Sequence, residues 1–440
     1  RQRQMCIRDS SYFDAFVTKF DSSGDVVWST YIGTDGTELS KGMDVDADGN
    51  VYVSGWTELS DFPTTTGAFQ EEAGDVNALD VFVVKLSPDG STLLYATLLG
   101  GDSWEQPWDL DVDADGQACV VGITGSTDFP LKNAAQSSLL GTGSPFVAKL
   151  SADGSSLLYS TYYGGTGQSE TCTAVEHDAS GNAYVVGWTD SADWPTSGAY
   201  QSTIGNVAPG DAEGRDVFLI KLGTGGAIGY ATFLGGDHYD IGRGIAVAGS
   251  GDVVVVGETR SSDYPTTSGA YRSKPIKGKS LSNAFITAVS SSGTALSWST
   301  FLGSSGADMG FEADVDSQGR VHVVGMTASD NFPLVNAVQA SRSGSFDAFV
   351  ATLSADGSSL VFSSFLGGSD YEEGYDVVAA TDDLLYVAGR TQSADFPITA
   401  DAFQGDTDGA RELAFVAMID LATDGGSGGD DGGSGGGGGG

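Results

Sequence analysis

Four short runs of alternating apolar and polar residues, parted by glycine-bearing turns, recur along this chain. In the copy that begins near Lys41 they read KGMDVDAD, VYVSGWT, DVFVVKLS and TLLYATLLG, the last ending at Gly100. Period-two alternation with β-branched and aromatic content predicts a strand for each run. No stretch carries a helical period over a useful length. The third run appears first as DAFVTKF at Asp14 and returns as DVFVVKL at Asp80, SPFVAKL at Ser144, DVFLIKL at Asp216, NAFITAV at Asn283, DAFVATL at Asp347 and LAFVAMI at Leu413. Its phenylalanines, from Phe16 to Phe415, are spaced by 66, 64, 72, 67, 64 and 66 residues, so one module is about 66 residues.

Four strands repeated at a fixed period predict an all-β fold, a β-propeller of four-stranded blades, because a ring leaves few sheet edges exposed. With strands a to d counted outward from the axis, the chain holds six a, six b, seven c and six d strands. It starts and ends on a c strand. The expectation is six modules plus part of a further one, a fragment of a seven-bladed parent whose missing strands lie upstream. The alternative is six-bladed closure, with Val26 to Gly33 completing the last blade.

The turn DVDADGN, residues 44 to 50, begins like an EF-hand calcium loop. Its twelfth position is Gly55 where that loop needs a bidentate Glu, and strands flank it where helices should. The aligned copies, such as AVAGSGD from Ala246 and VVAATDD from Val377, lose most of the acids. A β-hairpin turn is the reading that fits every copy.

Several positions recur in each module. Gly55, Gly122, Gly187, Gly257, Gly325 and Gly389 stand two residues before Thr57, Thr124, Thr189, Thr259, Thr327 and Thr391. A glycine inside a strand marks close backbone approach, here expected from the neighbouring blade. The d strands carry Trp28, Tyr95, Tyr159, Tyr230, Trp298 and Phe362, expected as inter-blade core. An aromatic-Pro box follows each b strand, at Phe62-Pro63, Phe129-Pro130, Trp194-Pro195, Tyr264-Pro265, Phe332-Pro333 and Phe396-Pro397. The xAFV strand, the aromatic d strand ending in Gly, the DxDG turn, the V-x-G-x-T strand and this box together resemble the SBBP-type β-propeller repeat family, over about residues 14 to 421. The resemblance implies a secreted or surface-attached bacterial propeller. It brings no catalytic residues, since no enzymatic motif defines the family.

Charge narrows the partners. Twenty Lys and Arg stand against 59 Asp and Glu, a formal charge of −39, which disfavours nucleic acid and anionic membrane. Such a surplus suits a saline or extracellular setting. No run of about 18 apolar residues exists to insert in a membrane, and a monomer is expected. Cys119 and Cys172 fall in different modules; two buried thiols fit better than a disulfide, though pairing stays open. Residues 1–10, RQRQMCIRDS, match no module and read as a non-native leader, residues 11–423 as the propeller, and 424–440 as a flexible glycine-rich linker.

Candidate chemistry sits in the connections. The b-c connection is roughly 20 residues long, which marks a functional loop. Five residues ahead of the first apolar residue of each a strand stands an acid: Glu38, Glu105, Glu170, Asp240, Asp308 and Glu372. Around an axis these form a ring of carboxylates at the channel mouth. Each either accepts backbone N–H bonds to lock its own loop, or joins a cation site, with Ca²⁺ as the candidate cofactor. Asp237 and His238, beside Asp240, form the one local set with a histidine. The loop YRSKPIKGKS brings Arg272, Lys274, Lys277 and Lys279 together as a contact for an acidic partner or polysaccharide, or as a solvated loop. The composite expectation is a non-enzymatic extracellular or cell-surface module that binds a protein or glycan, or serves as scaffold, through its long-loop face. The alternative is a propeller hydrolase or lyase acting on polysaccharide with carboxylates at the channel mouth.

Overall fold

The computed structural model describes residues 13–58, 62–74, 78–205, 214–276, 281–400, 402–405 and 412–422. Every regular element among them is a β-strand. Each module folds as an antiparallel meander whose strands lie in sequence order from the axis outward. In the first blade these are Glu38–Val45, Val51–Thr57, Asp80–Leu86 and Leu93–Leu99. The inner strands of the next five blades are Glu105–Val112, Glu170–His177, Asp240–Val247, Asp308–Val315 and Glu372–Thr381. Successive inner strands pack side by side, which makes the fold a β-propeller.

Within each blade one stack of rings explains three of the recurring sequence positions. Gly55 pairs with Phe82 across the second and third strands. A Cβ on Gly55 would lie 2.4 Å from the Phe82 ring and 2.2 Å from the Leu39 carbonyl oxygen. The neighbour that requires glycine is therefore its own sheet, and not the adjoining blade as expected from sequence. The box aromatic covers the other side of the ring: Phe62 on Phe82 at 4.7 Å, Trp194 on Phe218 at 4.9 Å, Tyr264 on Phe285 at 4.6 Å and Phe396 on Phe415 at 4.6 Å. Offset aromatic pairs of this kind add about 0.5–1.5 kcal/mol beyond their buried area.

The outer-strand aromatics join blade to blade, as the sequence predicts. Tyr95, Tyr159, Tyr230 and Trp298 lie against Gly154, Gly226, Gly293 and Gly357, the left-handed residues of the next blade's c-d turn. Only a residue without Cβ fits beneath those rings. The DADGN turn is a hairpin turn: Asp46 accepts from the amides of Asp48 and Asn50 and receives Lys85 at 3.3 Å, while Gly49 takes a φ of 81°.

The inner edge of each sheet exposes amides that no strand covers, and carboxylates of adjacent blades bond several of them. Asp44 accepts from Val112 N–H, Asp109 from Val175, Asp111 from His177, Glu312 from Ile245 and Asp314 from Ala379, at 2.7–3.0 Å. Burial, followed by repulsion between these acids, holds Asp44 at about 6 and lifts Asp109, whose repulsive partners are Asp111 and Asp376, to about 8.

Six blades carry an inner strand. Five are four-stranded; the sixth, Glu372–Thr381, Leu384–Thr391 and Leu413–Asp420, is three-stranded. Val26–Ile32 pairs with Ala15–Phe20 in a separate two-stranded sheet and does not extend the sixth blade. That small sheet reaches both neighbours. Trp28 Nε1 donates to the Pro88 carbonyl oxygen of the first blade at 3.1 Å, and Phe20 meets Phe403 of the sixth at 6.2 Å. Beside it, Val416 and Met418 of the sixth blade stand 59% and 58% exposed.

Candidate functional site

The six acids at the start of the a strands are the first residues of those strands, rather than members of the preceding connection. Each is buried and clamped within its own blade. Thr57, Thr124, Thr189, Thr327 and Thr391 donate to Glu38, Glu105, Glu170, Asp308 and Glu372 at 2.5–2.9 Å, whereas in the fourth blade the donors reach Asp240 Oδ2 and its buried Oδ1 has no hydrogen-bond partner among the described residues. The other carboxylate oxygens take backbone amides of the d-a turn, from Thr34, Gly101, Gly165, Gly236, Ser304 and Gly368, at 2.6–3.2 Å. Ser126, Ser191, Ser261 and Ser329 donate as well. This is the loop-locking arrangement of the two that the sequence left open. Its Thr is the residue of the V-x-G-x-T strand, a partnership that sequence showed only as two separate regularities.

A second acid approaches some of these clamps from the third strand of the preceding blade. Asp80 raises Glu105, and Asp216 raises Asp240. Burial is the larger cause in both cases. It holds Glu105 and Glu170 at about 7 and Asp308 at about 6, and puts Asp240 well above the carboxylate range. Among the described residues no three His, Cys, Asp or Glu side chains gather as a metal would need.

The remaining sequence candidates are dispersed. Asp237 accepts from the Ser262 amide and hydroxyl at 2.7 Å, and His238 Nδ1 accepts from the Tyr239 amide at 2.8 Å. Asp240 lies in its clamp, so the three residues serve separate contacts. Arg272 is half-buried and acts on Asp308, Lys274 is exposed, and Lys277 and Lys279 lie outside the described residues. Cys119 and Cys172 are buried free thiols. His322 is enclosed by Thr352 and Asp316. His177 bonds Asp111; burial opposes its charge, but that bond and Cys119 raise its pKa to about 9.

The structure reveals a site that the sequence reading missed. Every inner strand carries a one-residue β-bulge at the same place, after its third residue. The bulged residues are Lys41, Trp108, Thr173, Arg243, Phe311 and Tyr375. A bulge releases one side chain from the ladder and re-aims it, and bulges are frequent beside functional sites. Here the released side chains touch from blade to blade. Lys41 Nζ lies 4.7 Å over Trp108, Thr173 donates to the Gly242 carbonyl oxygen at 3.0 Å, Arg243 lies 5.0 Å over Phe311, and Phe311 stacks on Tyr375 at 5.9 Å. Trp108 and Tyr375 remain 39% and 47% exposed. The sequence carried a signal for this. In five of the six a strands, all but the first, the third residue and the apolar sixth residue are both buried, and period two cannot place positions three apart on one face.

The third and fourth blades add charge to the same end. Arg215 and Arg260 lie 5.8 and 5.0 Å over the Tyr239 ring, and Arg243 is close enough to act on Tyr239 as well. Arg243 pairs with buried Glu258 at 2.5 Å, and its Nε has no hydrogen-bond partner among the described residues. Elsewhere, two shallow depressions of about 370 and 510 Å³ lie on the opposite, hairpin-turn face.

A family model described as the SBBP β-propeller repeat matches residues 27–63 and 158–195. No curated protein matches the chain. Among solved structures, the chain is similar to a protein of unknown function from Dyadobacter fermentans, at 13% identity over 92% of this chain and 98% of that one, with a TM-score of 0.45. It is also similar to a NanB sialidase mutant from Streptococcus pneumoniae, at 8% identity over 86% and 67%, TM-score 0.45. A third is an ulvan lyase, a polysaccharide lyase, at 10% identity over 82% and 80%, TM-score 0.43. The clamped, bulged modules around one axis make this chain a β-propeller, and two of its segments, residues 27–63 and 158–195, match the SBBP β-propeller repeat.

Proposed function

We propose that the chain is a non-enzymatic extracellular or cell-surface propeller that binds a protein or glycan at the channel mouth, on the face of the long connections. The observation that carries this reading is the bulge ring. The six modules agree on their clamps, stacks and turns, yet the one residue released by each bulge is Lys, Trp, Thr, Arg, Phe or Tyr in turn. Shared positions serve the ring of blades; a position freed from pairing and given six chemistries serves recognition. The carboxylates that a hydrolase or lyase would use at this mouth are tied down by Thr, Ser and backbone donors, which favours binding over turnover.

A surface setting accords with the repeat resemblance and with the charge of −39, which also disfavours nucleic acid as partner. No helix among the described residues is long and apolar enough to cross a membrane. The test is an array of surface glycans and proteins probed with the intact chain and with its Trp108→Ala variant, beside a panel of polysaccharide substrates. Capture that weakens in the variant supports the reading. Product release by the intact chain would overturn it in favour of the hydrolase or lyase alternative.

A further inference from the structure

Independently of the channel mouth, we propose that the seam between the sixth blade and the two-stranded sheet is a docking site for one further run of this repeat: an outer, an inner and a second strand, in that order, carried ahead of Ala15. The inner strands leave the circle open there. From Glu38–Val45 each packs beside the next as far as Glu372–Thr381, but Glu372–Thr381 and Glu38–Val45 do not pack side by side.

Equivalent residues show what each side of the seam lacks. The third-strand Phe of a blade faces the preceding sheet, as Phe82 clusters with Val17, and the residue after it faces the following blade, as Val83 clusters with Val120. Phe82, Phe146, Phe218, Phe285 and Phe349 are fully buried; Phe16 is 57% exposed. Val83, Val147, Leu219, Ile286 and Val350 are fully buried; Val416 is exposed. The apolar sixth residue of an inner strand also faces the preceding blade. Leu110 is buried in that way, and Met43, its counterpart in the first blade, is 58% exposed. Phe16 and Met43 thus face the seam from one side and Val416 from the other. Single exposed apolar residues carry no meaning, but these occupy the positions that every other junction buries, and a contiguous patch of that kind marks an interaction surface.

The kinds of strand present identify the occupant. By place in the module Ala15–Phe20 is a third strand and Val26–Ile32 an outer one, while the sixth blade stops at its third strand, Leu413–Asp420. Completing both sheets takes an outer strand on Leu413–Asp420 and a second and an inner strand on Ala15–Phe20. Outer, inner and second strands are consecutive in the repeat, as in Leu93–Leu99, Glu105–Val112 and Ala118–Thr124, so one stretch of chain supplies all three. Its second strand would give Phe16 the paired glycine and box aromatic that each other third-strand Phe has. Its outer strand would cover the edge of Leu413–Asp420, which no strand among the described residues pairs and which is a template for strand addition. In each module the second strand leads into the third, and the sequence after Asp420, LATDGGSGGDDGG, lacks the alternation of an outer strand. The run therefore belongs ahead of Ala15.

The experiment joins a copy of residues 91–143, which holds those three strands and the connection after them, directly ahead of Asp14, and compares it with a scrambled insert of the same composition. The repeat insert should raise the Tm and the urea midpoint above those of the chain without an insert, and the scrambled insert should raise neither. Phe16→Ala should be nearly silent in the chain without an insert and lower the Tm of the fused chain. A thiol introduced by Val416→Cys should react with a maleimide in the chain without an insert, read by peptide mass, and about tenfold more slowly in the fused chain, where labelling needs the seam to open. Should the fusion be insoluble, the same stretch added as a free peptide to the Val416→Cys chain decides by the same protection. Unchanged Tm with the repeat insert, or equal labelling at position 416 with and without the stretch, would overturn the proposal. Neither readout involves capture of a glycan or protein, so its failure is distinct from failure of the channel-mouth reading.

Discussion

Thr124 Oγ1 donates to Glu105 across 2.7 Å, tying the last residue of a second strand to the first residue of the inner strand paired with it. The same bond recurs in four of the other five modules with a fixed sequence interval of 19 residues. Its carboxylate also collects Gly101 N–H, so one buried group fixes a turn and a strand end together. Thr124→Val keeps the shape and removes the donor to a buried acid. The expected loss is about 1–3 kcal/mol, read as a lowered midpoint in urea unfolding; an unchanged midpoint would show that the clamp does not contribute to stability.

Acidification should stabilise this protein. Glu105 has a folded value of about 7 against an ordinary 4.5, so the fold favours its protonated form. Its contribution is complete below about pH 4.5, is lost as pH rises towards 7, and is constant above that. Asp216, held at about 7 chiefly by burial, and Asp308 at about 6 have the same sign. His177, raised to about 9, extends the loss from about pH 6.5 to 9. Thermal unfolding between pH 5 and 9 should show a steadily falling Tm, and Glu105→Gln should flatten the part below pH 7. A Tm that rises across this interval would contradict the assignment.

Calcium provides a separate test of the same carboxylates. Because Thr, Ser and amide donors already occupy their oxygens, millimolar Ca²⁺ should leave the Tm of the intact chain unchanged. A Tm that climbs with ion concentration and loses that response in a Glu105→Gln, Asp240→Asn variant would instead establish the cation site, since a ligand of the folded state stabilises by mass action.

Gly257 tests the ring stack. Its Cβ would lie 1.9 Å from the Ile241 carbonyl oxygen and 2.9 Å from the Phe285 ring, with Tyr264 stacked on that ring's other face. Gly257→Ala forces strands or rings apart, at an expected cost of about 1–3 kcal/mol. Gly269→Ala, in open space but at a φ of 88°, serves as a comparison in which strain is the main cost. Retention of full stability in Gly257→Ala would refute the stack.

The sixth blade predicts an asymmetry between equivalent residues. Val350 is fully buried against the next blade's core, whereas Val416, at the same place in its module, is exposed beside the two-stranded sheet. Val416→Lys should change stability by no more than about 0.5 kcal/mol, while Val350→Lys, which buries an unpaired charge, should prevent folding. Comparison of soluble yield and Tm for the two variants decides this. Equal damage would show that a partner covers Val416 in solution.

The all-β class, the module length and the strand order were legible because a side chain's period in a strand depends only on local geometry. So were Gly55, Phe82 and Phe62, each visible in every module as a separate regularity. That they form one stack was not legible, since strand pairing joins Gly55 to Phe82, 27 positions on, and Phe62 folds back over that ring from the connection between them, which sequence distance does not encode. The acids were found and placed in a loop; the bulge interrupts period two and hid the first turn of each strand, with Lys41, Trp108 and Arg243 inside it. Whether a carboxylate such as Glu105 binds a cation or clamps a turn depends on which donors reach it in three dimensions. Only the closed packing of blades decides that, by bringing Thr124, Gly101 and Asp80 to one buried point.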